Sequence, residues 1–115
     1  MCLLRRLWAR AFGDELRQPI DWFVSEYALP VPVEWRDEIG VSYGCPDFAC
    51  GSDGFVIVIK LKTERSSYRS RQMADYLRLA RRLHHDDQID MVLLGPHRPG
   101  ATPDHDARQR YAELL

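Results

Sequence analysis

Residues 55–64, FVIVIKLKTE, are the most informative segment of the sequence. Its first five residues are apolar and mostly β-branched, which favours a strand covered on both faces. Two lysines, Lys60 and Lys62, follow with one leucine between them. Because side chains alternate along a strand, the two lysines share one face and lie about 6.6 Å apart along it. Burying an ammonium costs free energy unless it is paired, so we expect nearby carboxylates or a solvent-exposed strand end.

The segments on either side extend this strand into a sheet. Gly51, Asp53 and Gly54 are turn residues, and together with the flanking apolar segments they predict a β-hairpin. Pro46–Asp47 opens the partner arm, so Asp47 is expected near the end of the lysine strand. An amphipathic helix over residues 66–85 and a second buried strand over residues 89–94 follow.

The spacing of apolar residues and the positions of Pro and Gly predict the remaining elements. Residues 1–13 read as a basic amphipathic helix, residues 20–29 and 104–115 as two further helices, and residues 33–43 as the first strand. The expected order is α-α-β-β-β-α-β-α. The whole chain, residues 1–115, is therefore predicted to be a single α/β domain.

Size and composition set limits on function. With 115 residues and a net charge of -1, the chain suits one soluble domain, and its total charge neither indicates nor excludes a nucleic-acid partner. No apolar run is long enough for a membrane span, and the apolar part of the N-terminal segment is too short for a signal peptide. The odd number of cysteines and their spacing favour a reduced, cytoplasmic setting over disulfides or zinc.

Two polar tracts favour structural interpretations. His84-His85-Asp86-Asp87 stands at a helix C-terminus, where histidines suit the helix dipole, and we expect a loop there rather than a metal site. Arg71, Asp75, Arg78 and Arg82 are expected on a solvated face of the helix, with Asp75 paired to its arginine neighbours. Arg65 and Arg69 are better candidates for phosphate contacts.

These motifs, taken in order, resemble the PD-(D/E)xK nuclease superfamily. Pro46–Asp47, a hairpin, and a buried strand ending in Lys60-Leu61-Lys62 are similar to its signature, and Gln72 to Tyr76 is similar to the QxxxY motif of the RecB-like branch. The resemblance covers residues 19–94. It implies a restriction-endonuclease-like three-layer core, with a mixed sheet flanked by helices in the order α-β-β-β-α-β.

The resemblance also implies roles for individual residues. Asp47 matches the metal-binding aspartate, Lys62 the catalytic lysine, and Glu26 a helical glutamate that helps to hold Mg²⁺ or Mn²⁺. Gln72 and Tyr76 match the helical pair that supports the site and the nucleic acid. Without the resemblance, Asp47 reads as a turn residue, Lys62 as a strand-end lysine, and the helical pair as part of an ordinary amphipathic helix.

Position 60 departs from the family pattern, which has Glu, Asp or Gln where this chain has Lys60. The change removes an oxygen ligand and shifts the local charge by +2, which opposes Mg²⁺ binding. Three explanations stay open. Lys60 is an introduced substitution that silences a nuclease, or the chain is a naturally inactive relative, or a carboxylate such as Glu64 or Glu26 has taken over the missing ligand position.

The resulting expectation is a metal-dependent nuclease that hydrolyses phosphodiesters, inactive or weakened by Lys60. Its partner is nucleic acid, DNA ahead of RNA, and a homodimer fits the resemblance. The alternative is a non-catalytic nucleic-acid-binding or protein-binding regulatory module on the same fold. A structural domain that forms a homodimer is a third option.

Overall fold

The computed structural model describes residues 2–39, 43–61, 72–95 and 106–114. Its helices are α1 (Cys2–Phe12), α2 (Arg36–Ile39) and α3 (Gln72–Leu83), with a 3₁₀ turn at Val33–Trp35. Its strands are β1 (Trp22–Ser25), β2 (Leu29–Pro30), β3 (Tyr43–Gly44), β4 (Phe48–Ser52), β5 (Phe55–Leu61), β6 (Gln88–Leu94) and β7 (Gln109–Leu114).

One mixed five-stranded sheet organises the chain, in the order β1-β4-β5-β6-β7. Strands β1, β4 and β5 are antiparallel neighbours, whereas β5, β6 and β7 run parallel. Helix α3 lies in the crossover between β5 and β6, as a parallel connection requires. The predicted α/β class, the β4–β5 hairpin and the central position of β5 are confirmed.

Two apolar cores cover the two faces of the sheet, because the side chains of β5 alternate between them. Val56 and Val58 face α3 and pack with Met73, Leu77 and other residues of that helix and of β6. Phe55, Ile57 and Ile59 face α1 and pack around Trp8. The strand is therefore covered by a helix on each side, which explains its nearly continuous apolar sequence.

Helix α1 confirms the predicted N-terminal amphipathic helix. Its buried Trp8 and the partly buried Leu4 and Leu7 pack on the sheet. Gly13 ends the helix with a positive φ of 69°, and its N–H donates to the Ala9 carbonyl at 2.8 Å. A left-handed residue just after a helix is a common stop signal that suits glycine.

The predicted helix over residues 20–29 is wrong. Residues Trp22–Ser25 form β1, and Trp22 pairs with Gly51 of β4. Aromatic and β-branched side chains suit a strand, and their spacing over ten residues also matches a short helix. The exposed edge of β4 decides between the two by supplying a hydrogen-bonding partner.

Two other segments also differ from prediction. Within residues 33–43, Val33–Trp35 is a 3₁₀ turn and Arg36–Ile39 is α2, so only Tyr43–Gly44 is a strand among the residues described there. In the expected C-terminal helix over residues 104–115, Gln109–Leu114 is strand β7 instead. Pairing with the free edge of β6 satisfies the backbone of this segment, which sequence spacing does not reveal.

The expected solvated face of α3 also needs correction. Asp75 is buried, with 6 % of its surface exposed. Arg78 pairs with Glu38 at 3.0 Å instead, and its guanidinium lies 4.6 Å from the ring centroid of Trp35. The 3₁₀ turn and α2 therefore cover part of the surface that the helix was expected to show to water.

Candidate functional site

Asp47 and Lys60 meet at the C-terminal end of β5. Phe48 pairs with Ile59, so the antiparallel register, continued by one residue, places Asp47 opposite Lys60 on the same face. The Lys60 Nζ lies 3.4 Å from Asp47 Oδ2, with 18 % of the lysine side chain and 35 % of the aspartate side chain exposed. This contact confirms that Lys60 has a nearby carboxylate partner, as expected for a partly buried ammonium.

The Asp47 carboxylate also has a structural task. Its Oδ2 accepts a hydrogen bond from the Leu61 backbone N–H at 2.7 Å. The Asp47 and Pro46 carbonyls meanwhile accept the N–H groups of Glu26 and Tyr27, at 2.7 and 3.0 Å. The Asp47 side chain thus supplies the hydrogen bond to β5 at a point where the backbone carbonyls of Pro46 and Asp47 bind the segment after β1 instead.

Glu26 is not on a helix, contrary to the prediction. It follows β1, has a positive φ of 52°, and has an exposed side chain. It reaches Asp47 only through its backbone N–H. Its closeness in space to Asp47 is real, but the helical placement implied by the resemblance is wrong.

The helical pair lies toward the same end of the sheet. Helix α3 runs back along the sheet in the crossover, so its first residues lie toward the end where β5 finishes. Gln72 is its first residue, and the Gln72 side chain lies outside the described part of the structure. Tyr76 is buried in the core on the α3 face, with 4 % of its surface exposed. Lys62, Arg65 and Arg69, together with Glu64, lie outside the described residues.

The described oxygen donors do not fit a Mg²⁺ site as they stand. Within residues 2–39, 43–61, 72–95 and 106–114, no group of three or more His, Cys, Asp or Glu side chains could hold a metal ion. The Asp47 oxygen that faces Lys60 is engaged with an N–H and an ammonium. A divalent cation there would have to displace the lysine and would gain one carboxylate, whereas Mg²⁺ sites use carboxylates together with further oxygen ligands.

Cys50 is a structural residue. It is fully buried in the core on the α1 face. Burial raises the pKa of its thiol to about 11, which keeps the reactive thiolate scarce at neutral pH.

Sequence reasoning missed a buried carboxylate in β6. Asp90 has no exposed surface, and its oxygens accept hydrogen bonds from Trp8 Nε1 at 2.7 Å and Gln88 Nε2 at 3.0 Å. Arg110 adds a bidentate pair, with Nε at 3.1 Å and an Nη at 2.8 Å. The hydrogen bonds to Asp90 raise the pKa of Arg110, which keeps its guanidinium charged. Because every partner is internal, this network stabilises the fold.

Sequence reasoning also missed a hydrogen-bonded chain of Tyr27, His84 and Asp87. The Tyr27 hydroxyl lies 2.6 Å from His84 Nε2, and His84 Nδ1 lies 3.2 Å from Asp87 Oδ2. The tract that contains His84 does form a turn after a helix, as predicted. Its link to Tyr27, distant in sequence, depends on the unexpected strand β1 and had no local signal.

Comparisons with protein-family models, with curated proteins and with solved structures found no match. Among the described residues, no helix is long and apolar enough to cross a membrane.

Proposed function

We propose that this chain is a nuclease-like domain of the PD-(D/E)xK type that binds nucleic acid but does not cleave it as it stands. The element order supports the proposal. If the short elements between β1 and β4 are set aside, then α1, the antiparallel strands β1, β4 and β5, helix α3 and the parallel strand β6 come in the order α-β-β-β-α-β that the resemblance implies. Asp47 immediately precedes the second of these strands, and Lys60 lies near the end of the third.

The observation that carries the proposal is the contact of 3.4 Å between Lys60 Nζ and Asp47 Oδ2. In a metal-dependent nuclease of this type, the cation would sit between Asp47 and an acidic residue at position 60. Here the ammonium is itself the cation beside Asp47. At this separation, the gross attraction is about 5 kcal/mol at the effective dielectric of a protein surface, partly offset by desolvation. A metal ion must overcome it to displace the lysine.

Restoring an acid at position 60 should therefore restore the metal site. Lys60→Glu removes the competing ammonium and supplies a second oxygen ligand next to Asp47. Mg²⁺ or Mn²⁺ bound there would supply charge stabilisation for phosphodiester hydrolysis. We propose that Lys62 assists that reaction, while Gln72, Tyr76, Arg65 and Arg69 support the site or contact the nucleic acid.

The test compares the unaltered chain with Lys60→Glu and Lys60→Met. Each protein is incubated with single- and double-stranded DNA and RNA, in the presence of Mg²⁺, Mn²⁺ or EDTA. We expect cleavage by the glutamate variant alone, and EDTA should abolish it. The methionine variant removes the lysine charge without supplying an oxygen ligand, and Lys60→Glu combined with Asp47→Asn controls for a contaminating nuclease.

Two results would contradict the proposal. Metal-dependent cleavage by the unaltered chain would show that Lys60 does not silence the site. No metal binding by a folded Lys60→Glu variant, measured by calorimetry, would remove the nuclease reading of Asp47 and position 60.

The alternative is a regulatory module whose partner is a protein. The ion pair between Lys60 and Asp47 is compatible with a protein partner as well as with a nucleic acid, because binding either one needs no metal. Fluorescence anisotropy with labelled DNA and RNA separates the two. Nucleic-acid binding should weaken steeply with salt, because phosphate contacts release counterions. We propose DNA ahead of RNA, a cytoplasmic location and a homodimer, and light scattering during the titration measures the last of these.

A further inference from the structure

A pocket lies on the α3 face of the sheet, at the opposite end of β5 from Lys60. It has a volume of about 330 Å³ and is bounded by β1, by the β4–β5 turn and by the residues that follow α3. The side chains that matter for its chemistry are Trp22, Tyr27, Ser52, Asp53, His84 and Asp87. Val56 also lines it and stands four residues before Lys60, about 13 Å along the strand. This pocket is therefore separate from the proposed nucleic-acid site.

The hydrogen-bonded chain fixes which atoms face a ligand as acceptors. The Asp87 carboxylate can only accept, so His84 donates Nδ1–H to it, and in the neutral form of the imidazole Nε2 is then the acceptor. The Tyr27 hydroxyl then donates its proton to His84 across 2.6 Å. Its oxygen keeps lone pairs for another donor. Burial, followed by the charge of Asp87, raises the pKa of Tyr27, which keeps the phenol neutral.

The other side chains add the carboxylates of Asp53 and Asp87, together with two groups that can donate, the Ser52 hydroxyl and the Trp22 indole N–H. Among the lining residues that the structure describes, none is Lys or Arg, so the two carboxylates would repel an anionic ligand without a basic side chain to offset them. The charge and the acceptor pattern both favour a positively charged ligand with N–H donors.

Aromatic rings supply the apolar part of the pocket. The ring centroids of Trp22 and Tyr27 lie 5.9 Å apart, and both rings contact the imidazole of His84, at 6.4 and 6.0 Å. Trp and Tyr faces attract ammonium and guanidinium groups within about 6 Å. A wall with two aromatic faces beside two carboxylates suits a cation with a short apolar stem.

We propose that the pocket formed by Trp22, Tyr27, His84, Asp53 and Asp87 binds a small organic cation with N–H donors, an alkylammonium or alkylguanidinium. The volume lies at the lower end of the range for small-molecule sites, which fits a short side-chain-like cation. The N–H donors distinguish this ligand from a quaternary ammonium, which could use the rings but not the acceptors.

The test is a titration followed by NMR, using ¹H–¹⁵N spectra of the full chain. The ligands are butylammonium, butylguanidinium, butyltrimethylammonium, butanol and butyrate, which share one alkyl stem. We expect the first two to shift the Trp22 indole N–H and the Gly54 amide with millimolar affinity. The quaternary ion should bind more weakly, and the alcohol and the anion should not bind. The Trp22 signal is assigned from a Trp22→Phe variant.

Matched variants test the carboxylates. Asp87→Asn should weaken butylammonium binding by about tenfold or more, because it removes a charged hydrogen-bond acceptor. Asp86→Asn makes the same change at the neighbouring carboxylate, which is 81 % exposed, and should leave binding unchanged. If Asp87→Asn does not fold, Asp53→Asn on the exposed turn takes its place.

Comparable shifts with butanol or butyrate would overturn the proposal, and so would equal losses in Asp86→Asn and Asp87→Asn. A capped lysine peptide added as a further ligand identifies the source of the cation. Tighter binding of the peptide than of butylammonium assigns the site to a lysine of a protein partner. Tighter binding of the free amine assigns it to a small metabolite. Failure of Lys60→Glu to cleave nucleic acid has no bearing on these titrations.

Discussion

The buried carboxylate of Asp90 gives the sharpest stability prediction, through the substitution Asp90→Asn. One of its oxygens accepts from Trp8 and an Arg110 Nη, and the other accepts from Gln88 and Arg110 Nε. Asparagine keeps one acceptor oxygen and replaces the other with an NH₂ group. In either orientation, that NH₂ group faces two N–H donors, and the charge that pairs with Arg110 is gone.

The size of the effect follows from these contacts. A hydrogen bond to a charged group contributes about 1.5–3 kcal/mol, so losing two costs roughly 3–6 kcal/mol before relaxation. The Arg110 side chain is 45 % exposed and can take water as a replacement partner, which favours the lower end. We expect Asp90→Asn to lower the free energy of unfolding by about 3 kcal/mol, in keeping with other broken buried ion pairs.

Urea unfolding followed by circular dichroism measures this loss. With an m-value of about 1–3 kcal/mol/M, the midpoint should fall by roughly 1–3 M. The control Asp86→Asn makes the same change at an exposed carboxylate and should stay within about 0.5 kcal/mol of the unaltered chain. A loss below about 1 kcal/mol in Asp90→Asn would refute the fully hydrogen-bonded network. Arg110→Gln should cost a similar amount, because it leaves Asp90 buried without its counter-charge.

Three further predictions concern the hairpin, the pocket and the end of α3. Gly51→Ala should destabilise the chain by at least about 1–3 kcal/mol in thermal unfolding, because the added Cβ would lie 2.2 Å from the Phe55 carbonyl oxygen; an unchanged midpoint would contradict the close approach. Burial raises the pKa of Tyr27, so the neutral phenol stabilises the fold fully below pH 10, and this contribution is lost as pH rises through the pKa of Tyr27 in the folded state. Tyr27→Phe should therefore flatten the fall in stability at alkaline pH. Arg81 lowers the pKa of Asp106 by hydrogen bonding, so the deficit of Arg81→Gln should be full at neutral pH and shrink in acid as Asp106 is protonated; a deficit independent of pH would contradict the pairing.

Local sequence predicts some features of the candidate site and not others. The approach of Asp47 to Lys60 followed from the hairpin, because turn residues and alternating faces define which positions lie opposite each other. The location of Glu26 did not follow, because it depends on whether the preceding residues form a helix or a strand. The pocket around His84 was out of reach for the same reason, since its partner Tyr27 comes from beyond that strand.

The sequence by itself determined the centre of this protein: the α1 helix, the β4–β5 hairpin, the α3 helix and the buried strand β6. In each of these, the apolar period, the caps and the turn residues agree, so local preference and burial favour one structure. The tertiary structure alone decided the segments at the edges of the sheet, β1 and β7. Their sequences suit a short helix as well as a strand, and an unpaired sheet edge, with backbone groups that need hydrogen bonds, selects the strand.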